Sequence, residues 1–248
     1  MKQTRILMGM PVTVEVVDPA VTEPVLDAVY AYFEYIDEKF STYKETSEIS
    51  KINRHELALE DASEDMRTIF ALSEQTRLET EGYFDIFYNG RYDPSGLVKG
   101  WAIFQAAELL REKGFQNYYV EAGGDIQLAG SNAQGRDWRV GIRNPFEMNE
   151  IVKVLSATDC GIATSGTYVR GQHIYNPKNA GALELDILSL TVIGPDIYEA
   201  DRFATAAFAM GKKGLGFIAR LDGFEGYSID KDRRATFTAG FGRFVAYD

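Results

Sequence analysis

From residue 117 onward the chain is written in short β-rich pieces. NYYVEA (117–122), DIQLAG (125–130), WRVGI (138–142), VKVLSA (152–157), GIATS (161–165), QHIYN (172–176) and LSLTVIG (188–194) follow one another, separated by turn residues. Such a run predicts mostly hairpin-linked strands. Before it the pattern is helical. Apolar positions over 22–40 recur at helical spacing, with Thr22 placed to cap, and 62–80 and 96–114 predict two more helices. Ser95 is the expected cap of the third and Gly114 its end. PVTVEVV (11–17) alternates as a strand, and FSTYKETSEISKIN is polar and turn-rich. Helical spacing returns at YEADRFATAAFAMG and runs to about Leu221, followed by three terminal strands, GYSID, ATFTA and FVAYD. Helices and strands in separate blocks imply an α+β fold with mixed or antiparallel sheets and packed helices. With no repeat and no Gly/Ser linker, residues 1–248 are expected to form a single domain.

Charge and cysteine content narrow the function. A net charge of −11 opposes general affinity for nucleic acid or an anionic membrane. No apolar run reaches the length of a membrane span, and the N-terminus shows neither a signal peptide nor a lipobox cysteine, so a cytoplasmic location is expected. The single cysteine, Cys160, excludes an intrachain disulfide and a cysteine-rich metal site, and reads as a small core residue.

Several stretches could carry chemistry, and each has a plainer reading. Asp201 and Thr205, four apart on a helix, share a face and offer the hard oxygens Mg²⁺ accepts. Equally, Asp201 could answer the helix dipole and Thr205 could bond back to a carbonyl of its own helix. Gly123 and Gly124 before Asp125 allow close approach of a ligand, or simply turn a hairpin. DPSGLVKG sets Asp93 before a helix start and Lys99 in its second turn, a phosphate-friendly arrangement or a solvated lysine. Tyr43, Tyr83 and Phe84 could sandwich a planar ring or pack among themselves. His173 is either a satisfied strand histidine or a base, standing near the Thr164–Ser165–Gly166 break and its hydroxyls. No dinucleotide GxGxxG and no P-loop is present. Taken together, these features suit a nucleotide-bearing aromatic ligand.

In their order along the chain the motifs resemble the ApbE family of flavin transferases. MGM resembles that family's Met-Gly-Thr entry. FSTYKETSEISKIN is similar to its FSxY…SxxxxxN segment, and EGYFDIF to its DGxFD loop. DPSGLVKGWAI resembles its D-L-G-G-I-A-K-G-Y-A block. AGGDI, WRVGIRNP, IATSGTY…HIYNP and ADRFATAAFAMG each match a further family motif. The resemblance implies Mg²⁺-dependent transfer of FMN from FAD to a threonine or serine hydroxyl of an acceptor protein, with release of AMP. The alternatives are an Mg²⁺-dependent FAD pyrophosphatase and a non-catalytic FAD-binding protein. By resemblance, Met8, Tyr43, Tyr83, Phe84 and Asp85 would flank the flavin or adenine. Asp93 and Lys99 would contact the nucleotide, and Ile174 would touch FAD. Gly96 through its carbonyl, Asp201, Thr205 and the Ala204 backbone would hold Mg²⁺. His173 would take the acceptor's proton. Three places depart from the family pattern: Met10 replaces threonine, Ile103 and Phe104 stand where an aspartate is common, and KNAG follows HIYNP.

Overall fold

The computed structural model describes residues 1–166, 174–179, 183 and 186–247. The elements in chain order are β1 (Lys2–Leu7), β2 (Met10–Val16), α1 (Glu23–Phe40), α2 (Glu48–Asn53), α3 (Glu64–Glu79), β3 (Phe87–Tyr88), β4 (Arg91–Tyr92) and α4 (Ser95–Glu112). There follow β5 (Tyr118–Ala122), β6 (Asp125–Ala129), β7 (Trp138–Arg143), β8 (Ile151–Ala157), β9 (Gly161–Gly166), β10 (Ile187–Gly194), α5 (Ile197–Ala209), α6 (Gly214–Ile218), β11 (Glu225–Asp230) and β12 (Ala235–Phe237). Eight strands make one sheet in the order β1-β2-β5-β6-β9-β10-β11-β12, each pair antiparallel, so the α+β expectation holds.

The sheet is covered on both faces. Val12, Val14, Val16, Ala163, Leu190 and Val192 point into a core shared with α1, α4 and α5. Ile126, Leu128, Ile162, Ile193 and Ile229 point the other way, into a smaller core closed by the β7–β8 ribbon and Phe241. Alternate residues of one strand therefore serve two cores, which is why LSLTVIG reads as a nearly unbroken apolar run.

Several local expectations need correction. FSTYKETSEISKIN contains α2, a six-residue helix capped by Ser47, whose hydroxyl accepts the Ser50 N–H at 3.1 Å. Ser95 is not a cap but the first residue of α4; the Asp93 carboxylate accepts its N–H at 3.0 Å. The helix expected to reach Leu221 breaks at Gly211, whose φ of 60° is left-handed, and resumes as α6. Residues 174–176 lie in no strand, and FVAYD contributes only Phe244, the last residue of a 3-10 turn (Phe241–Phe244), and one bridge, Val245 to Leu155. Residues 2–7, whose pattern predicts no strand, form the edge strand β1.

Candidate functional site

Two helices build the charged wall of a cleft. α4 and α5 cross closely because Gly100 has no side chain: a Cβ there would lie 2.6 Å from Asp201 Cβ and 2.8 Å from the Ile197 carbonyl oxygen. The Gly100 N–H, held by this contact, donates to Asp201 Oδ2 at 2.8 Å. One turn further along α5, the Thr205 hydroxyl donates to the Gly96 carbonyl at 3.3 Å, across to α4. Asp201, Thr205 and the Gly96 carbonyl thus converge where α4 begins, and first-turn N–H groups of a helix lack intrahelical partners. Asp196, not Asp201, caps α5, accepting the Glu199 N–H at 2.9 Å.

Asp201 is 2% exposed. Burial pushes its carboxyl well above the usual range; the Lys99 ammonium pulls it back down and the nearby Asp125 adds to the rise. Lys99 Nζ lies 3.4 Å from Asp201 Oδ1 and forms a closer ion pair with Asp125 Oδ2. Asp125 follows the Gly123–Gly124 turn, with φ of 61° and 102°, so the glycines turn the hairpin, and Gly123 also lines the cleft.

Aromatic residues supply the opposite wall. β3 and β4 form a two-residue hairpin about Asn89 and Gly90, both at positive φ, the Asn-Gly pairing such a turn favours. Asn53 of α2 grips the hairpin, accepting the Tyr92 N–H at 2.7 Å and donating to the Tyr92 carbonyl at 2.9 Å. Residues 174–179 close on the Tyr83–Asp85 loop. Tyr175 donates its hydroxyl to the Asp85 carbonyl and stacks on Tyr88, ring centroids 4.1 Å apart at 18°. Lys178 donates to the Glu81 carbonyl at 3.2 Å and lies over the Tyr83 ring at 4.6 Å.

Between these walls lies a cleft that is partly open to solvent. Tyr83, Phe84, Asp85, Asp93, Gly96, Lys99, Ile174, Asp201 and Thr205 all line it. Tyr43 is 97% exposed and lines an adjoining hollow that shares Asp93, Ile174 and Tyr175 with the cleft. Met8 occupies the β1–β2 turn at φ 52° and Ala204 is fully buried in α5; neither is among the residues lining the cleft. His173 lies outside the described residues. The structure adds Ser95 and Tyr175 to the lining, together with Thr164, Ser165 and Gly166 from the end of β9. A tyrosine two residues beyond the candidate histidine was the available signal for Tyr175; the stacking partner, Tyr88, had none.

The donor set fits Mg²⁺. A carboxylate, a hydroxyl and a carbonyl are hard oxygens, and Mg²⁺ commonly takes one or two carboxylates and fills its octahedron with water and substrate phosphate. Among the described residues no three His, Cys, Asp or Glu side chains gather as an all-protein cage.

An eight-stranded antiparallel sheet backed by helices is the fold of flavin transferases of known structure. The flavin transferase ApbE from Vibrio cholerae superposes with a TM-score of 0.85 at 23% identity, covering 98% of each chain. An ApbE protein from Thermotoga maritima superposes at 0.88 and 20% identity, covering 100% of this chain and 99% of that one. The chain belongs to the ApbE family, whose model matches residues 8–90 and 88–227; the two matches meet at the β3–β4 hairpin. The FAD:protein FMN transferase of Vibrio cholerae is 27% identical over 239 aligned positions, covering 73% of this chain and 71% of that protein. The Salmonella typhimurium protein of the same name is 31% identical over 149 positions, covering 56% of this chain and 43% of its own length. No helix among the described residues is long and apolar enough to cross a membrane.

Proposed function

We propose that this chain, acting as one flavin-transferase unit, moves FMN from FAD to a threonine or serine hydroxyl of an acceptor protein and releases AMP. One observation carries the reading: a single cleft gathers an oxygen cluster (Asp201, Thr205, the Gly96 carbonyl), an ammonium, a helix N-terminus and an aromatic wall. A flavin dinucleotide has a matching part for each, its twin phosphates at the α4 end and its planar ring among the tyrosines. Family membership supports the same assignment.

In the reaction the acceptor oxygen bonds to the phosphorus on the FMN side of the pyrophosphate, and the bond from that phosphorus to the AMP phosphate oxygen breaks. Phosphoryl transfer depends mainly on positioning and charge stabilisation. Asp201, Thr205 and the Gly96 carbonyl would hold Mg²⁺, with the Ala204 backbone beside them. When bound, that ion supplies neutralising charge to the pyrophosphate and the departing AMP. Lys99 and Asp93 would orient the nucleotide, Tyr83, Phe84, Asp85, Ile174 and Tyr43 would bound the ring, and Met8 would contribute from the β1–β2 turn. His173 takes the acceptor's proton, a task that suits an imidazole near neutrality.

The test is incubation with FAD and Mg²⁺, with and without proteins of the source cell, followed by mass spectrometry and nucleotide analysis. FMN attached to a hydroxyl of another protein, with equimolar AMP, supports transfer. Free FMN and AMP at the same rate without any acceptor make the protein a pyrophosphatase. A bound FAD that never turns over makes it a carrier.

A further inference from the structure

Asp125 is 1% exposed and has no role in the cleft as read so far. Both its oxygens are fixed. Oδ1 accepts the Thr164 N–H from β9 at 2.9 Å. Oδ2 has the Lys99 ammonium and makes no hydrogen bond beyond that ion pair among the described residues. Asp201 repeats the arrangement: Oδ2 takes the Gly100 N–H, and Oδ1 faces the same ammonium. Lys99 therefore stands between two buried carboxylates, each anchored by a backbone N–H of a different element. A carboxylate buried without a counter-charge is strongly destabilising. One ammonium serves both, and it lies closer to Asp125.

This matters if Asp201 also holds a divalent ion, the reading of the preceding subsection on which this one rests. Metal and ammonium then compete for one carboxylate. We infer that Lys99 is the resident counter-ion of the site before metal enters, and that Asp125 is the positioning residue that keeps the ammonium on the cleft wall once Asp201 is engaged. Asp125 touches neither the metal oxygens nor the ring wall; it acts through Lys99. With Asp125 present, Lys99 gives up Asp201 without leaving the wall, and its ammonium stays where substrate phosphates would lie. With Asp125 removed, the ammonium loses its nearer carboxylate while Asp201 stays within reach, and there it opposes the metal.

Calorimetric titration of MgCl₂ into the FAD-free protein tests this, using wild type, Asp125→Asn, Lys99→Met and the double variant. Asp125→Asn is expected to weaken Mg²⁺ binding by about tenfold, the scale of an outer-shell partner. Lys99→Met is expected to tighten it. Adding Asp125→Asn to Lys99→Met should change affinity by less than about threefold, because the ammonium through which Asp125 acts is gone. An equal loss in both backgrounds would mean that Asp125 is only a nearby negative charge, and the inference falls. Asp201→Asn separates this from the metal-site reading. If it binds Mg²⁺ like wild type, both fall; if it loses Mg²⁺ while the cycle is additive, only this one does. Should Lys99→Met not fold, Lys99→Gln takes its place in the cycle.

Discussion

The charged end of the cleft and its aromatic end are built from different materials. Asp201, Thr205, Gly96 and Lys99 stand on two long helices pressed together at Gly100, with the sheet behind them. Tyr83, Tyr88 and Tyr175 stand on loops and a two-residue hairpin, held by a hydroxyl, a stack and a lysine laid over a ring. Helices hold side chains more closely than loops do. The difference therefore assigns tasks: the helix end suits charges that must be placed to a fraction of an ångström, and the loop end suits a planar ring that tolerates adjustment. Changes at the first should cost chemistry or folding, and changes at the second should cost affinity.

The largest effect is expected at Asp201. Asp201→Ala should lower Mg²⁺-dependent release of AMP from FAD by at least roughly 10²–10³-fold, the scale of losing one preorganised electrostatic partner. The protein should stay folded, because Lys99 keeps Asp125. Rates with and without Mg²⁺ and a far-UV spectrum check this; full Mg²⁺-dependent activity in the variant would place the cation elsewhere. Gly100→Ala comes next. Its new methyl meets the Ile197 backbone and the Asp201 stem, neither of which can swing away, so α4 and α5 must separate. Overpacking of this kind costs about 1–3 kcal/mol, partly offset by the roughly 1 kcal/mol gain in helix propensity. The urea midpoint and Mg²⁺-dependent turnover should fall together; a stable variant with normal turnover would show the helix contact to be soft.

The two ends also differed in how far the sequence revealed them. Asp201 and Thr205 are four apart on one helix, and Asp93 and Lys99 bracket one helix start, so local spacing exposed most of the helix end, while Gly96 came only from the family resemblance. The plainer reading of Thr205 was mistaken for a tertiary reason: its hydroxyl reaches the Gly96 carbonyl of another helix. The link from Asp125 to Lys99 was invisible, because a glycine pair before an aspartate is complete as a hairpin. Aromatic loops showed composition but not partners, since nothing local says that Tyr175 stacks on Tyr88. In the fold, α1, α3 and α4 were legible from apolar spacing. The strand β1, KQTRIL, was not: it is an edge strand whose residues alternate between exposed and half-buried, so it lacks an apolar face. FVAYD misled in the opposite sense: its β-like residues end a 3-10 turn at Phe244 and make a single bridge at Val245, both packed against the smaller core.

At the aromatic end, Tyr88→Ala removes one half of a stack worth about 0.5–1.5 kcal/mol. FAD should bind roughly several-fold more weakly, with turnover at saturating FAD preserved. Fluorescence titration and the split between KM and kcat read this out. A fall in kcat with KM unchanged would mean that the hairpin positions the reacting phosphates, and the division of tasks would break.

Tyr175→Phe is the smallest change and the most discriminating. Phenylalanine keeps the stack on Tyr88 and the buried surface and loses only the hydroxyl that donates to the Asp85 carbonyl. A hydrogen bond of this kind contributes about 1 kcal/mol. Burial pushes the Tyr175 hydroxyl above its ordinary value of 10.0, with the charges of Asp85 and Asp93 adding to the rise. For an acid whose pKa is raised by folding, the native state holds the proton more tightly than the unfolded chain. The contribution is therefore complete below pH 10 and is lost as pH rises above it toward the folded value. The gap in urea midpoint between wild type and Tyr175→Phe should be constant from pH 7 to the unfolded pKa and should narrow above it. A small gap that does not change as pH passes the unfolded pKa would mean that the phenol titrates alike folded and unfolded and is open to water, and that the loop end of the cleft is held by stacking alone.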